Sequence, residues 1–447
     1  MSDLPRLAYS ANRRFLITEG GQPFFWLGDT AWELVHRLKR SEIDLYCKNR
    51  AAKGFNVVQT VALAELDGLH TPNAYGHLPF VGDDPAKPDE GYFQDLDYVL
   101  QTAAEHGLYV ALLPTWADKV TPNWGAGPAI FNPKNAYEYA RFLAKRYQAH
   151  SHLIWVLGGD RPQFKDSVDW SPIWREMARG IRDILGSRAL LTYHPDGGPS
   201  TPSTIHREPW ADLVMLQSGH WAAENPAWDW LESLYRLEPA KPVFDAEPCY
   251  EDHPIAPWPK WNPENGYFRE YEVREQCYRS VFAGGCGVTY GHHFIWQMWE
   301  PGRAPVNNGA ELMPWKEAMD RPGAAQMIHL KRLMLSRPYL GRIPDQGLID
   351  GATGSHGSHV RATRDGEGRY AMVYVPDARR EIRCHLERLA PRLRAWWFDP
   401  RSGAANLIQN GLVERRATFV SPSDGPDWVL VLDDESQEFG APGDGPN

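Results

Sequence analysis

Eight apolar runs, each about the length of one strand, punctuate the chain between residues 24 and 293. They cover 24–30, 56–63, 109–116, 154–160, 190–195, 213–220, 242–248 and 287–293. Each is nearly continuous in hydrophobicity, as a strand covered on both faces must be. The stretches between them read as amphipathic helices. Residues 41–54 open on Ser41, a good N-cap, and stop at Gly54. Residues 95–106 end at Gly107, and 135–147 set Tyr139, Phe142, Leu143 and Tyr147 at helical spacing. Residues 174–185, 228–234 and 270–282 follow the same rule. Eight such units predict a (β/α)8 TIM barrel over residues 1–340, closed by a last helix at 313–336. A doubly wound open sheet is the alternative, but no Gly-x-Gly-x-x-Gly fingerprint follows any run.

Past residue 340 the texture changes. Short alternating runs at 358–363, 370–375, 381–386, 393–398, 416–420 and 428–432 are separated by Gly, Pro and Asp. This pattern predicts a small antiparallel β-sandwich over residues 341–436. Residues 437–447 are polar and rich in Gly and Pro, and are expected to be a disordered tail.

Charge and composition exclude several classes of partner. The net charge is −10 and there is no basic block, which argues against nucleic acid. No run approaches the ~18 apolar residues of a membrane span. Five cysteines, an odd number with no Cys-x-x-Cys pair, fit a reducing setting. Residues 1–12 lack the apolar segment of a signal peptide, so the expected location is the cytoplasm. Nineteen Trp provide flat rings that can fill a core or stack on sugar faces.

In a parallel barrel, side chains at the carboxyl ends of the strands share one cavity. Two runs end in a carboxylate followed closely by proline: Asp160 after Gly158-Gly159, and Glu247 before Pro248. A lone Asp or Glu is ordinarily a loop cap or an arginine's partner, as Asp160 would be for Arg161. Two carboxylates on strands 4 and 7, however, converge across the barrel mouth. Glycosidic cleavage requires such a pair, one as acid and one as nucleophile or base. Asp160 is the expected acid/base and Glu247 the expected nucleophile. Asp245, two residues earlier on the same strand, is expected to point the same way and to tune Glu247 or hold His220. The other strand ends offer Asp29, Trp32, Glu65, Trp116, Arg161, His194, Gln217, His220, Trp221, Tyr250, His292 and Trp296 as candidates for binding an uncharged, polyhydroxylated substrate. Of the neighbours His292 and His293, at most one enters the cavity, and His292 is the candidate. A competing arrangement gathers His194, His220, His292 and Asp29 around a metal, as in amidohydrolase-type barrels. No His-x-His follows strand 1 to support it, and neither metal nor cofactor is expected. A non-catalytic carbohydrate-binding barrel is the third reading, which the intact Asp160 and Glu247 oppose.

These motifs carry a resemblance. Phe25-Trp-Leu-Gly-Asp-Thr-Ala-Trp32, Gly54-Phe-Asn-Val-Val-Gln59, Trp155-Val-Leu-Gly-Gly-Asp160, Asp245-Ala-Glu-Pro-Cys-Tyr250 and Gly287-Val-Thr-Tyr-Gly291 resemble the apiosidase-like glycoside hydrolases, family 140 and its relatives. The likeness runs from about residue 6 to 435. It implies a TIM barrel followed by a β-domain that carries a collagen-binding label in that family. It also implies an acid/base at Asp160, a nucleophile at Glu247 and β-D-apiosidase activity on plant-derived glycosides. For a cytoplasmic chain the collagen label is discounted, and packing against the barrel is the expected role of the β-domain.

Overall fold

The computed structural model describes residues 4–444. Eight parallel strands form its centre: β1 (Trp26–Thr30), β2 (Val57–Val61), β3 (Tyr109–Leu113), β4 (Leu153–Gly158), β5 (Leu191–His194), β6 (Val214–Leu216), β7 (Val243–Asp245) and β8 (Gly287–Tyr290). Their order is β5-β4-β3-β2-β1-β8-β7-β6. At the remaining seam, the Asp212 N–H donates to the Leu191 carbonyl (2.8 Å) and Thr192 Oγ1 donates to the Leu213 carbonyl (2.9 Å). The sheet therefore closes into a TIM-type barrel.

A helix follows each strand: α1 (Arg40–Ala52), α2 (Glu90–Glu105), α3 (Pro133–Tyr147), α4 (Ser171–Leu185), α5 (Ser200–Ile205), α6 (Ala227–Tyr235), α7 (Glu270–Phe282) and α8 (Pro322–Leu335). Helix α1 starts one residue before the expected Ser41. Lys39 is its N-cap, and the Glu42 carboxylate accepts the Lys39 N–H (3.0 Å). The charged reach of Glu42 replaces the serine cap. Strand alternation feeds two cores. Along β3, Tyr109, Ala111 and Leu113 face the barrel interior, while Val110 and Leu112 face the helices. Inside, the Trp26 ring packs 4.6 Å from Phe244 and its Nε1–H donates to Thr289 Oγ1 (3.0 Å). Beneath the barrel lies a small antiparallel sheet of Leu7–Tyr9, Leu16–Thr18 and Pro23–Phe24, which the sequence reading did not anticipate.

The β-domain holds β9 (Arg342–Pro344), β10 (Arg361–Asp365), β11 (Tyr370–Val375), β12 (Glu381–His385), β13 (Leu393–Phe398), β14 (Ala405–Leu412), β15 (Arg416–Val420) and β16 (Trp428–Asp434). Six of them form an antiparallel sheet in the order β9-β10-β11-β16-β13-β14, and β12 pairs with β15 across from it. Tyr370, Met372, Tyr374, Val429 and Val431 merge with barrel residues Tyr278, Phe282 and Met327 in one core. Arginines tie the two parts together. Arg274 of α7 makes a bidentate pair with Asp427 (2.7 and 3.0 Å), and Arg337 does the same with Asp433 (2.7 and 2.8 Å). The segment after residue 436, expected to be disordered, is held as far as Asp444. Phe439 packs into the shared core, Arg337 donates to the Gly440 carbonyl (3.0 Å), and the Gly443 N–H donates to Ser336 Oγ (3.1 Å). One aromatic side chain and two backbone bonds outweigh the polar composition there. Residues 445–447 lie outside the described residues. All five cysteines are free and buried. Among the described residues, no helix is long and apolar enough to cross a membrane.

Arg274 and Asp427 are both buried. Replacing Arg274 with Met leaves the Asp427 carboxylate without its cation, which costs roughly 3–5 kcal/mol. The expected result is a large drop in Tm, most of it recovered in the double variant Arg274→Met/Asp427→Leu.

Candidate active site

The chain leaves β4 through three successive left-handed residues, Gly158 (φ 84°), Gly159 (φ 128°) and Asp160 (φ 53°). A Cβ at 158 would stand 2.4 Å from the His194 carbonyl oxygen, and one at 159 would stand 2.8 Å from the Trp116 ring. Both positions therefore require glycine. The left-handed conformation of Asp160 itself costs roughly 1–3 kcal/mol, held in place by its surroundings. The turn sets the Asp160 carboxyl group on the wall of a cavity of about 590 Å³. Its Oδ2 accepts the Trp124 indole N–H (3.1 Å) and the Arg161 guanidinium (3.0 Å).

Glu247 lies across the same cavity. Gln217 Nε2 donates to its Oε1 (3.1 Å), and His194 Nε2 stands 3.0 Å from its Oε2. That approach lies off the N–H direction of the ring, so the attraction is mainly electrostatic. Nδ1 of His194 accepts the backbone N–H of Asp160 (3.4 Å). With Nδ1 an acceptor, Nε2 is the ring nitrogen that carries a proton. One imidazole touches both carboxyl-bearing residues.

The two carboxyl groups hold protons differently. Burial pushes Asp160 up to about 6; Arg161 opposes the rise and the Glu247 charge adds to it. Glu247 is the more buried of the two, its side chain 6% exposed against 29% for Asp160, but His194 first, then His220 and the Tyr250 hydroxyl, bring it below the ordinary glutamate value. Glu65, also on the cavity wall, is raised to about 8 by burial, against the pull of Arg161. Arg161 is wholly buried, stacks 4.0 Å from the Trp124 ring, and stands 3.4 Å from Glu65.

Comparison with known proteins agrees with this chemistry. Residues 10–341 match the family described as "Apiosidase-like, catalytic domain", and residues 343–433 match the "Putative collagen-binding domain of a collagenase". The chain belongs to the apiosidase-like family. A solved structure titled "Glycoside hydrolase" is 31% identical over 98% of each chain, with a TM-score of 0.87. A glycoside hydrolase family 5 protein from Bacteroides vulgatus is also 31% identical, over 97% of this chain and 94% of its own, with a TM-score of 0.88. No curated protein sequence matches significantly. The protein is a glycoside hydrolase, and its substrates are carbohydrates.

Most of the expected residues meet in the hydrolase cavity. Trp32, Glu65, Trp116, Gln217, His220, Trp221, Tyr250 and Trp296 line it with Asp160 and Glu247. Arg161 and His194 stand directly behind, touching those carboxylates. Three expected residues turn elsewhere. Asp29 points outward to Tyr46 and Arg50 of α1. Asp245 also points outward, to Ser218 (2.6 Å) and to Ser280 of α7 (2.9 Å), and does not hold His220. The two-residue alternation stops applying because the β7 ladder ends at Asp245. His292 is buried against Asp252 (3.1 Å), and its neighbour His293 lines the cavity instead. Two of the four residues of the supposed metal cluster, Asp29 and His292, thus turn away from the other two. Among the described residues, no group of three or more His, Cys, Asp or Glu is placed to hold a metal ion. Sequence reasoning missed Trp124, His253, Trp258 and His293. The first three ride on long loops beyond β3 and β7, where no periodicity indicates direction.

The turn after β4 gives a direct test. Gly158→Ala forces a methyl against the His194 carbonyl and strains a left-handed residue. The expected outcome is a loss of kcat of at least about 100-fold, with a far-UV circular dichroism spectrum like that of the parent.

Proposed function

We propose that this glycoside hydrolase removes a terminal sugar, apiose in the first instance, from a plant-derived glycoside, with retention of configuration. Asp160 is the general acid/base and Glu247 the nucleophile. One observation carries the reading: two carboxyl groups in one cavity whose surroundings drive their proton affinities apart. Glycosidic cleavage needs one of each kind, a carboxylic acid to protonate the leaving oxygen and a carboxylate at the anomeric carbon.

In the first step a Glu247 oxygen forms a bond to C1. The C1–O bond breaks toward the leaving oxygen, which takes the Asp160 proton. Gln217 and His194 keep Glu247 ionised and aimed, as a nucleophile must be. Loss of the Asp160 proton leaves its carboxylate against Arg161 and the Trp124 N–H, both of which favour the anion. In the second step a water attacks C1, Glu247 departs, and Asp160 takes the water's proton. The family match motivates apiose, and the tryptophans of the cavity wall suit a neutral sugar.

The decisive measurement is a panel of p-nitrophenyl glycosides, apioside and arabinofuranoside included, with NMR of the first-formed anomer. Release from the apioside with the starting anomeric configuration is expected; an inverted product assigns Glu247 the role of base to water instead. Asp160→Asn and Glu247→Gln should each lower kcat by about 10²–10⁴-fold while the fold persists. A near-parental rate in either variant refutes the assignment.

The pH profile follows from the same shifts. Asp160 must be protonated in the free enzyme, so kcat/KM is expected to fall as pH rises through about 6. Glu247 must be ionised, and its lowered affinity keeps the acid limb below the ordinary carboxylate range. A profile still rising between pH 6 and pH 8, compared on the same substrate, contradicts these roles.

A further inference from the structure

On the Glu247 side, the cavity wall is built from three histidines in ring contact, one pair tilted and the other edge-on. The rings of His220 and His253 lie 3.9 Å apart between centroids, and those of His253 and His293 lie 4.7 Å apart. Trp258 stands 5.9 Å from both His220 and His253, and its side of the wall is open, with the residue 54% exposed. All four line the cavity. The histidines are themselves buried, at 9%, 2% and 0% exposure for His220, His253 and His293.

Backbone partners fix the tautomers of two of them, His293 and His253. His293 Nε2 faces the carbonyls of Val306 (2.9 Å) and Asn307 (3.1 Å), so it must carry the proton. Its Nδ1 is then a buried acceptor without a protein partner. His253 Nδ1 donates to the Pro254 carbonyl (2.7 Å), which makes Nε2 the acceptor of that ring. His220 Nδ1 is likewise buried and unpartnered. Burial lowers the proton affinity of all three rings, and the crowding of His253 and His293 against other histidines lowers theirs further. The wall thus offers preset neutral imidazoles, two of them with an acceptor free to take an O–H. No Arg or Lys lines this cavity among the described residues.

Its position assigns the wall to one part of the substrate. The acid protonates the departing oxygen, so the leaving group lies toward Asp160 and Trp124. The sugar passed to the nucleophile lies over Glu247, beside Tyr250 and His220, whose rings are 4.9 Å apart. We infer that His220, His253, His293 and Trp258 form the subsite that selects the transferred sugar. It takes a neutral sugar whose hydroxyls donate to the imidazoles, and it rejects a sugar bearing a carboxylate, which would meet lone pairs and the Glu247 charge. The inference rests on the proposed roles of Asp160 and Glu247 for which side is which.

Binding tests it without turnover, so failure to hydrolyse any glycoside leaves the test intact. The probes are free D-apiose, L-arabinose, D-xylose and D-glucuronate, followed by tryptophan fluorescence and titration calorimetry on the full chain. The parent should bind at least one neutral sugar at least tenfold more tightly than glucuronate. His253→Phe and His293→Leu should each weaken that neutral sugar by about tenfold, the effect of leaving one hydrogen bond unmade. His293 also anchors Val306 and Asn307, so Trp258→Ala serves as a variant with no such burden. It should weaken binding by about threefold to tenfold through lost ring contact, with Tm unchanged. Glucuronate binding as tightly as the neutral sugars overturns the inference. So do parental affinity in the folded His253→Phe and Trp258→Ala variants, and absence of binding by any neutral sugar.

Discussion

His194 stands between two carboxyl groups that must not behave alike, and the arrangement of the cavity follows from that. Its Nδ1 lone pair holds the backbone N–H of Asp160, which leaves Nε2, 3.0 Å from Glu247 Oε2, as the nitrogen that carries a proton. One ring accordingly stands against Glu247 on one side while fixing the turn that carries Asp160 on the other. Were the tautomer reversed, a lone pair would face the Glu247 carboxylate, and the difference in proton affinity between the two groups would shrink. Burial raises both carboxyl groups, and only the local partners separate them. That is how two acidic residues in one cavity come to hold their protons differently.

Much of this was legible in the sequence because barrel strands are apolar on both faces and end abruptly. The eight runs located β1 to β8, and the polar residue just beyond each run located most of the cavity wall. Alternation describes a side chain only while the ladder continues, and β7 stops at Asp245. Glu247 therefore reaches the cavity from a loop, while Asp245 and Asp29, still inside their ladders and out of step with the inward Phe244 and Trp26, turn to α7 and α1. The same limit explains the exchange of His292 for His293. Strand β14 escaped notice for a different reason. It is an edge strand, its residues 406–410 are exposed, and its sequence lacks the alternation that a half-buried strand imposes. The loop residues Trp124, His253 and Trp258 carry no periodic signal at all.

The β-domain is no loose appendage. Its inner face continues the apolar core of the barrel, and its carboxylates neutralise guanidinium groups that would otherwise be buried alone. Buried pairs of this kind add little net stability when intact and cost a great deal when broken. They fix how the two parts fit together more than how strongly they cohere.

Helix α7 extends that dependence to the chemistry. Arg274 binds it to Asp427, Arg279 binds it to the carbonyls of Gly357 and His359, and Ser280 on the same helix holds Asp245 at the end of β7. Two residues further on stands Glu247. The β-domain thus braces, through α7, the strand that leads to Glu247. A recombination that swapped either half for a stranger would have to re-match the arginines of α7 to the new partner's carboxylates and carbonyls.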